Sequence, residues 1–396
     1  MTFKVKTKGQ IEGENMLVPK LRFKEFKDEF KKYKLKDIVN FYKGNNLSKS
    51  DITDNGFYPC ILYGELYTKY SEIAYHICSK TNSYTRNQFI SKQNDVLIPC
   101  SGETAIDIST STCLLEDNIL IGGDLNVLRP INQDGKYLSY LLCNKKRIII
   151  AKYAQGDSIV HLYGEKISNI DVDLPSKKEQ EKIANFLSLL DKKIELQQQK
   201  IEALKIYKKG LLHNLKSNSQ NWTEYKVQNL FDITRGQVIP KTNLKDSPTD
   251  DYIYPVYSSQ TSNYGILGYD NTYDFDGKFL TWTTDGANAG KVFYRNGKFR
   301  CTNVCGLLHS NKNNDYINLL TADLLNYETP NYVSYVGNPK LMNNVMADIK
   351  IKLPSLEVQN KISHIFSIFD NKLFIEEQKL NNLNNTKKSL LQQMFI

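Results

Sequence analysis

The feature that most constrains this chain is that it repeats itself at domain scale. Leu174-Pro175-Ser176 returns 179 residues later as Leu353-Pro354-Ser355, and each copy runs into a long amphipathic pattern. Leu187, Leu190, Ile194, Ile201, Leu204, Leu211 and Leu215 stand opposite Phe366, Phe369, Leu373, Leu380, Leu383, Leu390 and Met394 at that one offset. The a and d rhythm of these positions buries a seam against a partner helix. The interruptions recur as well, with Gln197 against Glu376 and Lys208 against Lys387. A polar residue at an a position costs stability but specifies register, so Lys208 and Lys387 read as alignment devices. Two unrelated helices would not share their defects.

The copies begin before the helices. Tyr33 to Gly44 parallels Tyr225 to Gly236 at an offset of 192, so the first copy holds 13 more residues ahead of its helix. Each half thus joins similar ends to an unlike middle, roughly residues 45–173 and 237–352, each large enough for one core. Strands are predicted at Asn94–Pro99 and Gly277–Trp282, and helices at Tyr137–Ile149 and Tyr316–Leu325. Arg295-Asn296-Gly297-Lys298 reads as a tight hairpin between Val292-Phe293-Tyr294 and Phe299-Arg300, because Asn-Gly tolerates positive φ. Ser176 with Glu179 reads as a capping box; the second copy keeps Ser355 but has Val358 at the glutamate position. Ser217 to Asn221 is a polar linker.

Composition narrows the function. A net charge of +9 and a pI of about 8.9 favour a polyanionic partner without proving one. Seven cysteines include no Cys-x-x-Cys pair, and Cys301 and Cys305 have no nearby histidine pair, so reduced thiols in a cytoplasmic protein are expected and a zinc site is not. Neither a secretion signal nor a membrane span is expected. Catalytic motifs are hard to assemble. Gly286 to Lys291 is one residue short of a phosphate loop and continues into Val292, where a hydroxyl is needed. No Gly-x-Gly-x-x-Gly occurs, and the Asn338-Pro339-Lys340 run lacks the aromatic of amino-methylating enzymes. Asp274 to Gly277 lacks the rest of a calcium loop, and the five histidines are scattered. Such a chain binds and positions.

Two unlike globules, each followed by a Leu-Pro-Ser helix start and a heptad helix, resemble the DNA-specificity subunit of type I restriction-modification systems. The resemblance rests on Asp173 to Ala184 with Leu190-Asp191-Lys192-Lys193-Ile194, on Leu353-Pro354-Ser355 with Gln359-Asn360-Lys361-Ile362 and Phe369 to Leu373, and on the lead-in Val18 to Phe23. It implies an α+β fold with a pseudo-two-fold internal repeat: two globular target-recognition domains separated by two long helices packed as an antiparallel coiled coil. The implied segments are a lead-in (1–32), the first recognition domain (33–175), the central spacer helix (176–217), the second recognition domain (218–354) and the C-terminal spacer helix (355–396). Each domain would read half of a bipartite site on double-stranded DNA. The span from Leu187 to Leu215 is about 43 Å of helix at 1.5 Å per residue, enough to hold two readers about one duplex turn apart. The subunit itself would be non-catalytic. Two methyltransferase subunits and two restriction/translocase subunits would complete a cytoplasmic DNA adenine methyltransferase and ATP-dependent endonuclease, and S-adenosylmethionine, ATP and Mg would belong to those partners.

Phosphate contacts set register and base-edge contacts set sequence, so DNA-binding candidates belong in the unlike middles. They are Lys43, Tyr63, Arg86 and Ser101 in the first, and Arg235, Lys241, Tyr257, Asn288, Lys291 and Arg300 in the second. Lys43 and Arg235 hold matching positions before Gly44 and Gly236, where a cation could meet phosphate. The rival reading is a coiled-coil adaptor that never touches DNA. A self-sufficient restriction-methylation enzyme is disfavoured by the missing motifs.

Overall fold

The offsets in the sequence reappear as backbone pairing in the computed structural model, which describes residues 3–5, 17–156, 159–310 and 316–396. Part of the expected lead-in, residues 6–16, lies outside the described residues. The chain divides into two compact units, residues 1–197 with 379–396 and residues 198–378, so each unit takes a share of both long helices.

In the first unit, Val39–Lys43 pairs antiparallel with Leu125–Pro130, which pairs in turn with Val96–Pro99. In the second, Asp232–Arg235 pairs with Cys305–His309, which pairs with Phe275–Thr283. The registers correspond residue for residue. Leu125 to Leu128 face Pro99 to Val96, and Cys305 to Leu308 face Thr283 to Leu280. The two units therefore share a three-stranded core, in which each unlike middle supplies two strands and the like end before it the third. Its central strands carry consecutive buried residues, as expected of strands covered on both faces. Around that core the units diverge. The first adds a parallel edge at Ile73–Ala74 and a separate three-stranded sheet. The second extends to six strands in one sheet. Each unit is mixed α+β, as the sequence suggests.

Both helix starts are built alike. The Gln180 amide donates to the Pro175 carbonyl at 3.0 Å, and that of Gln359 donates to the Pro354 carbonyl at 2.9 Å. Each glutamine oxygen then accepts at the start of a neighbouring helix: Gln180 from the Asp134 amide N–H, Gln359 from the Asn318 side chain. Those helices, Gly135–Asn144 and Leu319–Glu328, begin with Asp134 and Asn318 accepting from the amides of Tyr137 and Thr321. The glutamine in each motif is thus a buried clip between two helix starts. The capping box is corrected. Both Glu179 carboxylate oxygens accept from the Arg22 guanidinium at 2.8 Å, so the buried glutamate ties down the lead-in instead of its own N-cap.

The long helices are Lys177–Ser217 and Leu356–Met394. All sixteen seam positions are buried or half-buried. Within the second unit, Lys208 pairs with Asp370 at 2.7 Å and Tyr207 packs on Phe369. Within the first, Lys387 pairs with Asp191 at 2.8 Å. Asp191 and Asp370 are themselves related by the 179-residue offset, so one contact is made twice in antiparallel sense. Leu212 and Leu391, absent from the expected seam and also 179 apart, are buried because the helix ends face their globules as well as a partner helix.

The expected Asn-Gly hairpin is corrected too. Val292–Cys301 is one ten-residue strand running through Asn296-Gly297 and paired with Phe275–Thr283 along its length. Gly297 and Gly277 face each other at φ of 108° and 115°. The positive φ that suggested a turn instead bends a two-stranded ribbon. The true reversal is the glycine-rich stretch between Thr283 and Val292, where Gly286 and Gly290 take positive φ. The helix expected over Tyr137–Ile149 breaks into Gly135–Asn144 and Arg147–Lys152.

Candidate nucleic-acid interface

In the first unit, Lys43 ends its strand opposite Asn126 with an exposed side chain. The chain must then pass close to Gly122, and a Cβ on Gly44 would lie 2.1 Å from the Gly122 carbonyl oxygen, so glycine is required. Burial pushes the Cys100 thiol up to about 11, a shift that neighbouring Lys43 opposes. The loop after Lys43 is stitched to a second loop. Asn45 donates to the Asn87 carbonyl at 2.8 Å and Asn46 donates to Thr85 at 3.3 Å. Arg86 lies between those anchors, exposed. The structure thus brings Lys43 and Arg86 onto adjoining loops. Beside Arg86, Tyr84 stacks on Tyr58 with ring centroids 5.2 Å apart, and Phe57 is 85% exposed. Aromatic faces next to cations are what a nucleic-acid surface uses, and the sequence reading missed these three. Asn55-Gly56 ahead of Phe57 was the available signal.

Tyr63 lines a cavity of about 820 Å³ that also includes Ser48 and Lys49 of the loop after Lys43. Carboxylates of Glu65, Glu103 and Asp124 share that cavity, which makes it a poor seat for phosphate. Ser101 is corrected. It sits in the short strand Ser101–Gly102 against Val160–His161 and is buried.

In the second unit, Arg235 occupies the position matching Lys43, opposite Gly306, and a Cβ on Gly236 would lie 2.1 Å from the Cys301 carbonyl oxygen. The constraint is the same one met twice. The Arg235 side chain is half-buried, donating from Nε to Asn343 at 2.8 Å and from Nη2 to the Met342 sulfur at 3.4 Å. Neither of these partners is an acid. Lys241 is exposed at the start of a short 3-10 turn. Asn288 is exposed on the glycine-rich loop, where its carbonyl accepts from the Thr283 hydroxyl and the Lys291 amide. That loop is joined to the segment 334–343 through Gly286 and Pro339, so Arg235 and Asn288 belong to one set of linked loops.

The three remaining candidates have partners within the unit. Arg300 is held through Nη1 by Asp270 at 2.7 Å and through Nε by Asp274 at 3.0 Å. Tyr257 is half-buried beneath Arg295, whose guanidinium lies 3.6 Å from the ring centre. Burial raises the Tyr257 hydroxyl above its usual range while Arg295 opposes the shift. Lys291 lines a cleft of about 610 Å³ with Lys208, Asp323 and Asp370, where burial lowers its pKa against the pull of Asp323.

Residues 27–205 and 219–385 each match the type I restriction modification DNA specificity domain. The chain belongs to this family. It therefore carries two specificity domains, and its relatives are type I specificity subunits. One from Mycoplasma pneumoniae is 37% identical over 219 residues, covering 54% of this chain and 80% of the relative. The type I restriction enzyme MpnII specificity subunit of the same organism is 41% identical over 147 residues, 37% of this chain and 43% of that protein. The crystal structure of a type I restriction-modification S subunit from M. genitalium shares the fold, with a TM-score of 0.69 at 19% identity over 96% of this chain and 99% of that one. Among the described residues no helix is long and apolar enough to cross a membrane.

Proposed function

We infer that this specificity subunit reads a bipartite site on double-stranded DNA, one half-site per domain, and directs methyltransferase and restriction/translocase subunits to it. The observation that carries the reading is the pair of specificity-domain matches, joined to one strand core bearing unlike loops in its two copies. In the first domain Lys43 and Arg86, with Phe57, Tyr58 and Tyr84, would form the DNA surface. In the second, Arg235, Lys241 and Asn288 would do so. The two long helices would act as the spacer between half-sites.

Leu189 and Leu196 are exposed on the first long helix, and Ile368 and Ile375, each 179 residues on, are exposed on the second. These matched apolar positions support docking of two equivalent partner subunits. Methyl transfer and ATP-driven cleavage would reside in those partners, in the cytoplasm, with their S-adenosylmethionine, ATP and Mg. The test is to exchange residues 45–173 for the first middle of another family member and map methylation in a host carrying the whole complex. One altered half-site is expected; alteration of both halves, or of neither, overturns the reading.

A further inference from the structure

The second domain carries a hairpin that the DNA-reading role does not yet use. Ser334 and Lys340 exchange two backbone hydrogen bonds of 2.9 Å, closing a loop of five residues. Behind it Leu341 is buried. Its amide donates to the Thr284 carbonyl at 2.9 Å, and its carbonyl accepts from the Trp282 indole at 3.1 Å. The Gly286 amide donates to the Pro339 carbonyl at 3.0 Å, so the hairpin base is fixed from two sides. The first unit repeats this frame at the 179-residue offset. Gln155 and His161 exchange bonds of 2.9 and 2.8 Å, and buried Leu162 donates to the Cys100 carbonyl at 2.7 Å.

The frame is common, but what it carries is not. In the second unit the loop begins Tyr335-Val336, 68% and 92% exposed, and turns at Gly337 with φ of 74°. Hairpin tips are ordinarily Gly, Asn, Asp or Ser, which water solvates well. An aliphatic and an aromatic side chain held out on a braced tip lack that solvation. Scattered exposed apolar residues need no explanation, but adjacent ones at the end of a rigid projection mark a contact. The neighbours Arg235 and Asn288, on loops joined to the hairpin, supply the polar surroundings of a nucleic-acid surface.

We propose that this hairpin is a base-reading loop of the second domain, with Val336 packing against the C5-methyl group of a thymine in the major groove. The proposal rests on the DNA-reading role inferred above. A two-stranded ribbon fits that groove, and the thymine methyl is the one apolar mark there that an aliphatic side chain can recognise. Tyr335 covers the contact from water.

The test uses the complete complex with its methyltransferase and a duplex carrying the target mapped from host methylation. Replacing each thymine of the second half-site by uracil, one at a time, should weaken binding about fourfold at one position, the effect of burying one methyl group. The Val336→Ala complex should bind thymine and uracil duplexes equally at that position and keep its preference throughout the first half-site. Val336→Ser should behave alike; both replace a solvent-facing residue and leave the fold intact. Equal loss of binding by Val336→Ala on both duplexes would mean a wedge between base steps and overturns methyl reading. Undiminished uracil discrimination in the variants, or a half-site lacking a sensitive thymine, overturns it as well. Absence of any target-specific binding by the unaltered complex would instead defeat the DNA-reading role itself.

Discussion

Lys208 and Lys387 show how a single side chain can hold a helix pair and a globule together. Each makes two ion pairs: Lys208 with Asp370 and Asp323, Lys387 with Asp191 and Glu72. Burial opposes both charges, yet the carboxylates outweigh it and raise both lysines above their usual range. A raised lysine contributes stability that is complete below its unfolded pKa of about 10.4 and lost as pH climbs through the folded value. Urea titrations above pH 10 should therefore show the unaltered chain losing stability more steeply than a Lys208→Met, Lys387→Met double variant; parallel slopes would deny the lysines this role. At neutral pH Lys387→Met should cost about 2–4 kcal/mol, below the limit for a fully buried pair, because Asp191 and Glu72 are left half-buried without a cation. A cost below about 1 kcal/mol, measured by urea unfolding, would show that water reaches the pair. Arg86→Ala should leave stability unchanged, weaken DNA binding for all sequences alike and lower the salt slope by about one. The lysines and their helix partners were legible because the repeat displays them twice. Glu72 and Asp323 were not, since they come from the globules and have no common position in sequence.

At the scale of elements, the strand ribbon is the instructive case. Asn296-Gly297 carries the local signal of a tight turn, but that signal reports only a backbone able to take positive φ. Whether the chain reverses there depends on what pairs with it, and Phe275–Thr283 pairs along both sides of the glycine. Gly297→Val should cost about 1–3 kcal/mol by forcing a β-branched residue to φ of 108°, read as a lowered urea midpoint. An unchanged midpoint would mean the ribbon can flatten. The helix starts fared better, because Leu-Pro-Ser with a downstream glutamine occurs twice and the structure gives it one function twice. Glu179 was misassigned for a related reason. A glutamate at the third helical position suits a capping box, and only the fold could bring Arg22, 157 residues away in sequence, against it.

For the molecule as a whole, the spacer reading makes a mechanical claim. Adding one heptad at matched positions of both long helices should lengthen the non-specific gap in the mapped target and leave both half-sites unaltered. An unchanged gap, read from methylation of the host genome, would refute the spacer. By itself the sequence determined the duplication, the seam and its charged interruptions, because heptad spacing and internal repetition are properties of the chain read in order. Tertiary structure alone decided that the two units share a strand core, that Ser101 is buried and Arg300 is paired with Asp270 and Asp274, and that Val336 is held out on a braced tip. Those facts depend on pairings between residues remote in sequence, and such pairings leave no local trace.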